Sequence, residues 1–521
     1  MRYRIHQVKL NAGQTCDALE RAICRKLKRK KLRIYDLKIV RESIDARKKP
    51  DVKLVYTLDF SSDERLPLQP PPGSAYEPPG TITNHGNRPV VVGFGPCGIF
   101  AGLILAEAGL NPLILERGSA VEKRVQDVER FWQTGILDPQ SNVQFGEGGA
   151  GTFSDGKLTT GIKDPRIQWV LQEFAEAGAD PDILYKQKPH IGTDRLRQVV
   201  KNLRKKIEQL GGEVRFDTRM TGLSVKQGDS ASCLKGITVQ TGSANELISA
   251  EHMILAIGHS ARDTFAMLLQ QGLAMSPKPF SIGVRIEHPQ ELIDQAQYGD
   301  AALAEILGPA DYKLNHRCEN GRGVYTFCMC PGGMVINASS EPETAVTNGM
   351  SNRDRDTGTA NSGLLVDVRP EDFSSEHPLA GVEFQRRYEK LAYVQGNGVL
   401  PTSTYGDFCR KSDDLVRASL PEFAAQSIME AMPHFGKKLK GFDRADAKMT
   451  AVETRSSSPV RIFRDESHQS TIAGIYPAGE GPGYAGGIMS AAVDGMKTAE
   501  HVIRQIAQEV SAESSNKLNN L

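Results

Sequence analysis

The stretch VVVGFGPCGIFAGLILAEAGLNPLILERG, Val90 to Gly118, decides the fold. Its apolar opening, Val90 to Val92, reads as a strand buried on both faces. Gly93, Gly95 and Gly98 follow in G-x-G-x-x-G spacing, with Gly102 further on. Gly93 permits the tight strand-to-helix turn, Gly95 leaves the backbone open to a phosphate, and Gly98 and Gly102 let the helix close on the sheet. The helix start, at Pro96 and Cys97, offers free N–H groups to a pyrophosphate. A second apolar run, Leu113 to Leu115, ends in Glu116 and Arg117. A carboxylate about 20 residues past the glycines accepts hydrogen bonds from ribose hydroxyls and repels a 2′-phosphate. Strand, turn, helix, strand and acid in this order form a dinucleotide-binding unit, and both NAD and FAD satisfy it.

The 521 residues are enough for two or three domains. No apolar run is long enough to span a bilayer, and the N-terminus lacks the apolar core of a signal peptide. Eight scattered cysteines without a framework spacing point to a reduced, cytoplasmic setting. The chain nets only +1, yet residues 1–50 carry 16 Lys and Arg against 5 Asp and Glu, so the remainder is acidic.

Residues 1–60 read as a small βαββ domain. YRIHQVKL, LRIYDLKIV and VKLVYTLDF alternate like strands, and Leu19, Ile23 and Leu27 share a helix face. The basic cluster from Arg25 to Lys31 complements the helix dipole, or offers a surface to RNA or another acidic partner. Seven prolines make 61–88 and its edge an extended linker. Helical patterns follow in RVQDVERFWQTGIL, DPRIQWVLQEFAEAG and Thr193 to Leu210, with strands at Glu213 to Phe216, Gly222 to Lys226 and Gly236 to Gln240. The rhythm breaks at about 275, where KPFSIGVRIEHP and Gly321 to Asn337 read as further strands.

The nucleotide choice turns on GIYPAGEGPGYAGGIMSAAVDGMKTAEHVI, Gly474 to Ile503. A strand ends at Gly479 and Glu480, a glycine-rich turn follows, and a helix opens at Gly486, Gly487 and Ile488. That carboxylate can accept from a ribityl or ribose hydroxyl, and the helix start can stabilise negative charge on a flavin ring. One ligand long enough to use both motifs is FAD. These motifs, with the strand HMILAIGHSARDTF ending at Gly258, resemble the glutathione-reductase-type FAD superfamily. The closing motif there ends Gly-Asp, and the middle one Ala-Thr-Gly. GEGGAGTFSDGKL, AIGHSARDT, FCMCPGG, VTNGMS, GEGPGYAGGI and SIDARKK also resemble a poorly characterised bacterial group of FAD-dependent, or NAD(FAD)-utilising, dehydrogenase-like proteins. That resemblance implies FAD binding and leaves the substrate open.

The expected fold is α/β. A GxGxxG Rossmann-like FAD-binding domain spans 89–274 and 451–508, and a mixed α+β substrate domain is inserted at 275–450. The small βαββ domain precedes them, and 509–521 is a disordered tail. The loop GEGGAGTFSDGK can form an anion nest through Gly149, Gly151, Thr152 and Ser154, a loop that lies beside the FAD in the resembling families. Lys157 is placed to stabilise a reduced flavin, or is an ordinary solvated lysine. Cys328 and Cys330, two apart in a strand, would face one pocket, or are small core residues. His259 follows a strand end near the crevice as a proton donor or a packing residue. Arg285 and Arg455 can bind an anionic substrate or form ion pairs. No second G-x-G-x-x-G unit, no Cys-x4-Cys redox pair and no metal-spaced cluster is legible. The expected activity is an FAD-dependent oxidoreductase acting on a small substrate or on NAD(P)H. An RNA-acting flavoprotein and a flavin-binding sensor are the alternatives.

Overall fold

In the computed structural model, the structure describes residues 1–73, 76–83, 86, 88–228 and 232–519. The N-terminal unit is an antiparallel sheet of Arg2–Asn11, Lys53–Ser61 and Tyr35–Asp45, with Lys53–Ser61 in the middle. Tyr3, Ile5, Val8 and Leu10 all point inward. A register shift between Ile5 and Val8, with Gln7 at φ 55°, adds the residue that restores the alternation. The helix Leu19–Lys26 buries Leu19 and Ile23 on this sheet, and Leu27 caps it half-buried.

This unit does not stand apart. The outer strand lies against residues 185–187, where Glu42 N donates to Tyr185 O and Gln187 N donates to Glu42 O, both at 2.8 Å. Its free edge is thereby covered. Val52 is 3% exposed within the substrate-unit core. No residue of 1–61 lines the large cavity described below. A chain beginning at Arg88 is therefore expected to keep its flavin, with a melting temperature lower by a few degrees from the lost burial of Val52 and the lost contacts at residues 185–187 and along the linker. Loss of flavin absorbance in that truncated protein would make the N-terminal unit part of the cofactor fold.

Among the described residues of 62–89 there is no helix or strand, as seven prolines require. The segment lies down on the nucleotide unit. Ile82 N donates to Ala108 O at 2.9 Å, and Tyr76 packs edge-on against Trp169 and donates to Glu500 at 2.7 Å.

The nucleotide unit is built on a parallel sheet in the order Ile475–Pro477, Met253–Leu255, Val90–Val92, Leu113–Leu115, Glu213–Arg215. Val90 pairs with Leu113 on one side and Met253 on the other, so these strands end level. All residues of the four strands other than Glu213–Arg215 are buried, which is why they read as VVV, LIL, MIL and IYP without alternation. Pro96–Glu107 and the long helix from Ile488 pack together over one face. The expected disordered tail is helical instead, the helix running to Asn519. His252 and Glu509 pair at 3.0 Å where the expected tail begins, and Ser511, Ser514 and Ser515 bond back to carbonyls four residues earlier. An antiparallel ribbon of Thr218–Lys226, Cys233–Thr241 and Ala244–Ser249 lies beyond the sheet, and its last strand is one the sequence reading missed.

The inserted unit, expected from the sequence to face a substrate and called the substrate unit for that expectation alone, is built on a six-stranded antiparallel sheet in the order Asn315–Arg317, Gly323–Cys330, Thr359–Val368, Phe280–Pro289, Lys448–Glu453, Thr402–Thr404. Ile282, Val284, Leu364 and Val366 form its core with Ile428, Met432 and Phe435 of the helix Glu422–Lys438. The two strands read from Gly321 to Asn337 belong to different sheets: Met334–Asn337 pairs with Thr347–Met350. No helix among the described residues is long and apolar enough to cross a membrane.

Candidate functional site

The level ends of the parallel strands open into a cavity of about 390 Å³ that extends to the substrate sheet. This is where parallel α/β sheets place ligands. Gly93, Gly95, Pro96, Cys97, Glu116, Arg117, Gly149, Gly151, Ser154, Gly258, Glu480, Gly486, Gly487 and Ile488 all line it. Lys157, His259 and Cys328 line it too. Gly98, Thr152, Gly479 and Cys330 do not.

Those four sit behind the wall. A Cβ on Gly98 would come 1.9 Å from the Gly93 carbonyl oxygen, so its smallness serves the turn. Thr152 Oγ1 donates to Glu147 O, and Gly479 packs on the Cys97 side chain. The loop carrying Gly149 is held from below by Arg124 of the helix Val121–Thr134. That buried guanidinium donates to the carbonyls of Asn142, Val143 and Glu147. Gly149 has φ +62°, and a Cβ there would come 2.9 Å from Gly95 Cα, so two glycine backbones meet at this end of the cavity.

Glu116 holds the turn as well as facing the cavity. Its Oε1 accepts from Gly118 N and Gly146 N, both at 2.9 Å, and its Oε2 from Phe94 N at 2.8 Å. Only one lone pair, on Oε2, is left for a sugar hydroxyl. Arg117 pairs with Asp263 at 2.8 Å and lies 4.1 Å above the Phe145 ring, a platform that the motif alone did not disclose.

The far end of the cavity carries the titratable groups. The strand Gly323–Cys330 has a register shift between Phe327 and Cys330, and Cys328 sits at φ 42°. The expected two-residue alternation therefore fails. Cys328 lines the cavity, while Cys330 is fully buried behind it and donates from Sγ to Cys328 O at 3.3 Å. Hydrogen bonding from Cys330, with the charges of Arg285 and Lys157, outweighs burial and holds the Cys328 thiol down at about 6. The same contact and burial push Cys330 well up.

Arg285 is no free anion binder. Fully buried, it donates from Nε and Nη2 to both oxygens of Glu453, at 2.7 and 3.1 Å, and from Nη1 to Cys328 O at 2.9 Å. Burial pushes the Glu453 carboxyl up to about 7 against the pull of Arg285, and the neighbouring Cys328 adds to the rise. Glu453 lines the cavity, in a TAVETR stretch that carries no motif. Arg455 lines it too, but is spent on Glu389 at 2.9 Å and on Ser260 and Ser340. Lys157 Nζ donates to Met329 O, tying the glycine loop to the cysteine strand.

His259 Nδ1 stands 3.2 Å from Glu480 Oε1, so one oxygen of this cavity-lining carboxylate faces the imidazole. His259 Nε2 is buried and has no hydrogen-bond partner among the described residues. A Cβ added at Gly258, Gly486 or Gly487 would meet no protein atom within 4 Å. No side chain caps the N-terminus of the helix Pro96–Glu107. A long dinucleotide fits this lining: an open helix start and facing glycines for phosphates, and an orphaned imidazole nitrogen further along.

Comparison with known proteins agrees. A family profile described as FAD-dependent protein, C-terminal domain-like, matches residues 279–456, and one for a domain of unknown function matches residues 2–61. An uncharacterized protein of Clostridium beijerinckii is 45% identical, over 97% of this chain and 99% of its own. Among solved structures, a geranylgeranyl bacteriochlorophyll reductase-like protein of Thermoplasma acidophilum is 14% identical, with a TM-score of 0.35 over 82% of this chain and 83% of its own. The FAD-complexed glycerol-3-phosphate dehydrogenase of Bacillus halodurans is 10% identical, with a TM-score of 0.36 over 81% of this chain and 65% of its own. Likeness at those scores carries nothing about activity. FAD is the cofactor of this α/β flavoprotein, and by near-complete alignment at 45% identity the chain belongs to the family of the Clostridium beijerinckii protein.

Proposed function

We propose that the chain is an oxidoreductase that takes electrons from a small organic substrate or a reduced nicotinamide, with Cys328 meeting the reacting ligand. The observation that carries this reading is the placing of the Cys328 thiol on the cavity wall beside Lys157 and Arg285, whose charges pull its pKa down. Bound FAD supplies hydride or electron acceptance, which no side chain can.

The side chains around it bind and move protons. With its pKa pulled down by the Cys330 contact and the charges of Arg285 and Lys157, Cys328 Sγ is the thiol of the pair suited to give up its proton and then take one from a bound substrate. Arg285 and Lys157 hold that negative charge, and Glu453, with its carboxyl near 7, can pass a proton on. His259, oriented through Nδ1 by Glu480, presents Nε2 as a second proton site. Arg285 and Arg455 stay paired and take no substrate charge.

The sign of the Cys328 shift sets a pH test. Its thiolate persists to lower pH than that of an ordinary thiol and is lost on further acidification. Site-resolved alkylation by iodoacetamide should reach half its plateau rate at Cys328 well below about 8.5, the value for an ordinary thiol. An anaerobic screen of donors, read by bleaching of the flavin absorbance, should find one whose reaction slows at least about tenfold in Cys328→Ser while FAD stays bound. A half-plateau at the ordinary thiol value, or full-rate bleaching in that variant, sinks the role of Cys328. Failure of every donor to bleach the flavin sinks the oxidoreductase reading itself.

A further inference from the structure

We propose that His316, Cys318 and Glu430 form a Zn²⁺ site in the substrate unit, apart from the flavin cavity. Their ligand atoms lie within 4.8 Å of one another, and none of the three residues lines that cavity. His316 Nε2 is 3.4 Å from Glu430 Oε1. A tetrahedral ion held at about 2.0–2.3 Å separates its ligand atoms by roughly 3.3–3.8 Å, so the side chains need only close slightly.

Local structure brings them together. His316 and Cys318, two apart at the end of the edge strand Asn315–Arg317, face one side. They face the helix Glu422–Lys438, where Ser427, Glu430 and His434 share a face through 3.6-residue periodicity. The hairpin turn after the strand is already laced to that face. Asn320 Nδ2 donates to Ser427 Oγ at 3.0 Å, Glu319 N to Glu430 Oε1 at 2.9 Å, and Cys318 Sγ to Ser427 O at 3.5 Å. The His434 ring stacks on His316 at 3.9 Å. The donors are thus oriented by contacts that a metal would not have to create.

Charge points the same way. Cys318 is 4% exposed, and Glu430 has no Lys or Arg partner among the described residues. A thiolate, a carboxylate and a divalent ion sum to zero, which neutralises a half-buried acid that has no cationic Lys or Arg beside it. One sulfur, one imidazole nitrogen and one carboxylate oxygen suit Zn²⁺, because the thiolate disfavours Mg²⁺ and Ca²⁺. Bound there, the ion would fasten the outer strand of the sheet to its covering helix.

The test uses the full-length flavin-bound protein, stripped with chelator, dialysed under reductant and titrated with Co²⁺ and then Zn²⁺. One Co²⁺ per chain should bind and give a thiolate-to-cobalt band in the difference spectrum, which Zn²⁺ abolishes. Cys318→Ala should remove the band and weaken Zn²⁺ binding at least about 100-fold, and Glu430→Gln at least about tenfold. Bound flavin in both variants reports that they fold. Cys24→Ala, in the N-terminal unit, should leave the band unchanged. The proposal is overturned if the parent protein takes up no stoichiometric metal, or if Cys318→Ala keeps the band. It is equally overturned if Cys328→Ala loses the band, which would put the metal at the cavity thiols.

Discussion

Replacing Gly95 with leucine should yield a folded, colourless protein with less than about a tenth of the parent flavin content. In the structure, a Cβ at Gly95 would meet only Gly149 Cα, at an ordinary 3.7 Å, so the protein itself tolerates the first atom. The branched end would occupy the cavity at the uncapped start of the helix Pro96–Glu107, where the pyrophosphate must approach backbone N–H groups. Far-ultraviolet circular dichroism should stay that of the parent. Gly98→Ala is the contrasting case. Its Cβ would stand 1.9 Å from the Gly93 carbonyl oxygen, which is backbone and cannot turn aside. That variant should fail to accumulate as folded protein. A Gly95→Leu protein carrying one flavin per chain would mean that the phosphates lie elsewhere in the cavity.

The contrast between these two glycines shows what the sequence discloses. Short all-apolar runs such as VVV and LIL reveal a parallel sheet because both faces are covered, and glycine spacing marks the tight turn at the cavity mouth. The loop at Gly149 and the late turn at Gly486 were legible for the same reason: backbone approach leaves a mark in the residue that makes it. Contacts between side chains far apart in the chain leave none. Nothing near Glu116 announces that Gly146 N will bind one of its oxygens, and nothing near His259 points to Glu480. The thiols were noticed, but the register shift at Phe327 separates them, and an alternation argument cannot foresee an inserted residue. His316 and Cys318 meet Glu430 only because a hairpin turn and a helix pack together, so no metal spacing appears in the sequence. Ion pairing of Arg285 and Arg455 is an expectation open to the sequence, but their partners Glu453 and Glu389 are not legible in it, since they come from elements whose neighbours are set by sheet order.

The second large effect is expected where the two units join. Glu389, on the helix Ala380–Gln395, is fully buried between two arginines. Arg262, from the nucleotide unit, donates to its Oε1 and Oε2 at 2.7 and 2.8 Å. Arg455, just past the strand Lys448–Glu453, donates to the same oxygens at 3.1 and 2.9 Å, and Thr454 adds a bond at 2.6 Å. Burial alone would raise this carboxyl, but Arg262 and Arg455 overcome it and hold it well below the usual range. Its contribution is therefore complete at neutral pH and is lost only as the solution is acidified below the ordinary carboxylate range. Glu389→Gln keeps the shape and removes the charge, leaving two buried guanidiniums with Glu341 as the remaining carboxylate, 2.7 Å from Arg262. Breaking a buried pair from one side costs about 3–5 kcal/mol, and here two cations lose a partner at once. Urea unfolding at pH 7 should show a loss of that size. Glu383→Gln, which removes an exposed partner of Arg386, should cost less than about 1 kcal/mol. The Glu389→Gln deficit should shrink as the pH falls, because the parent protein loses the same charge on acidification. A deficit below about 1 kcal/mol at pH 7 would mean that Glu341 and solvent compensate both arginines, and that the charge cluster does not hold the units together.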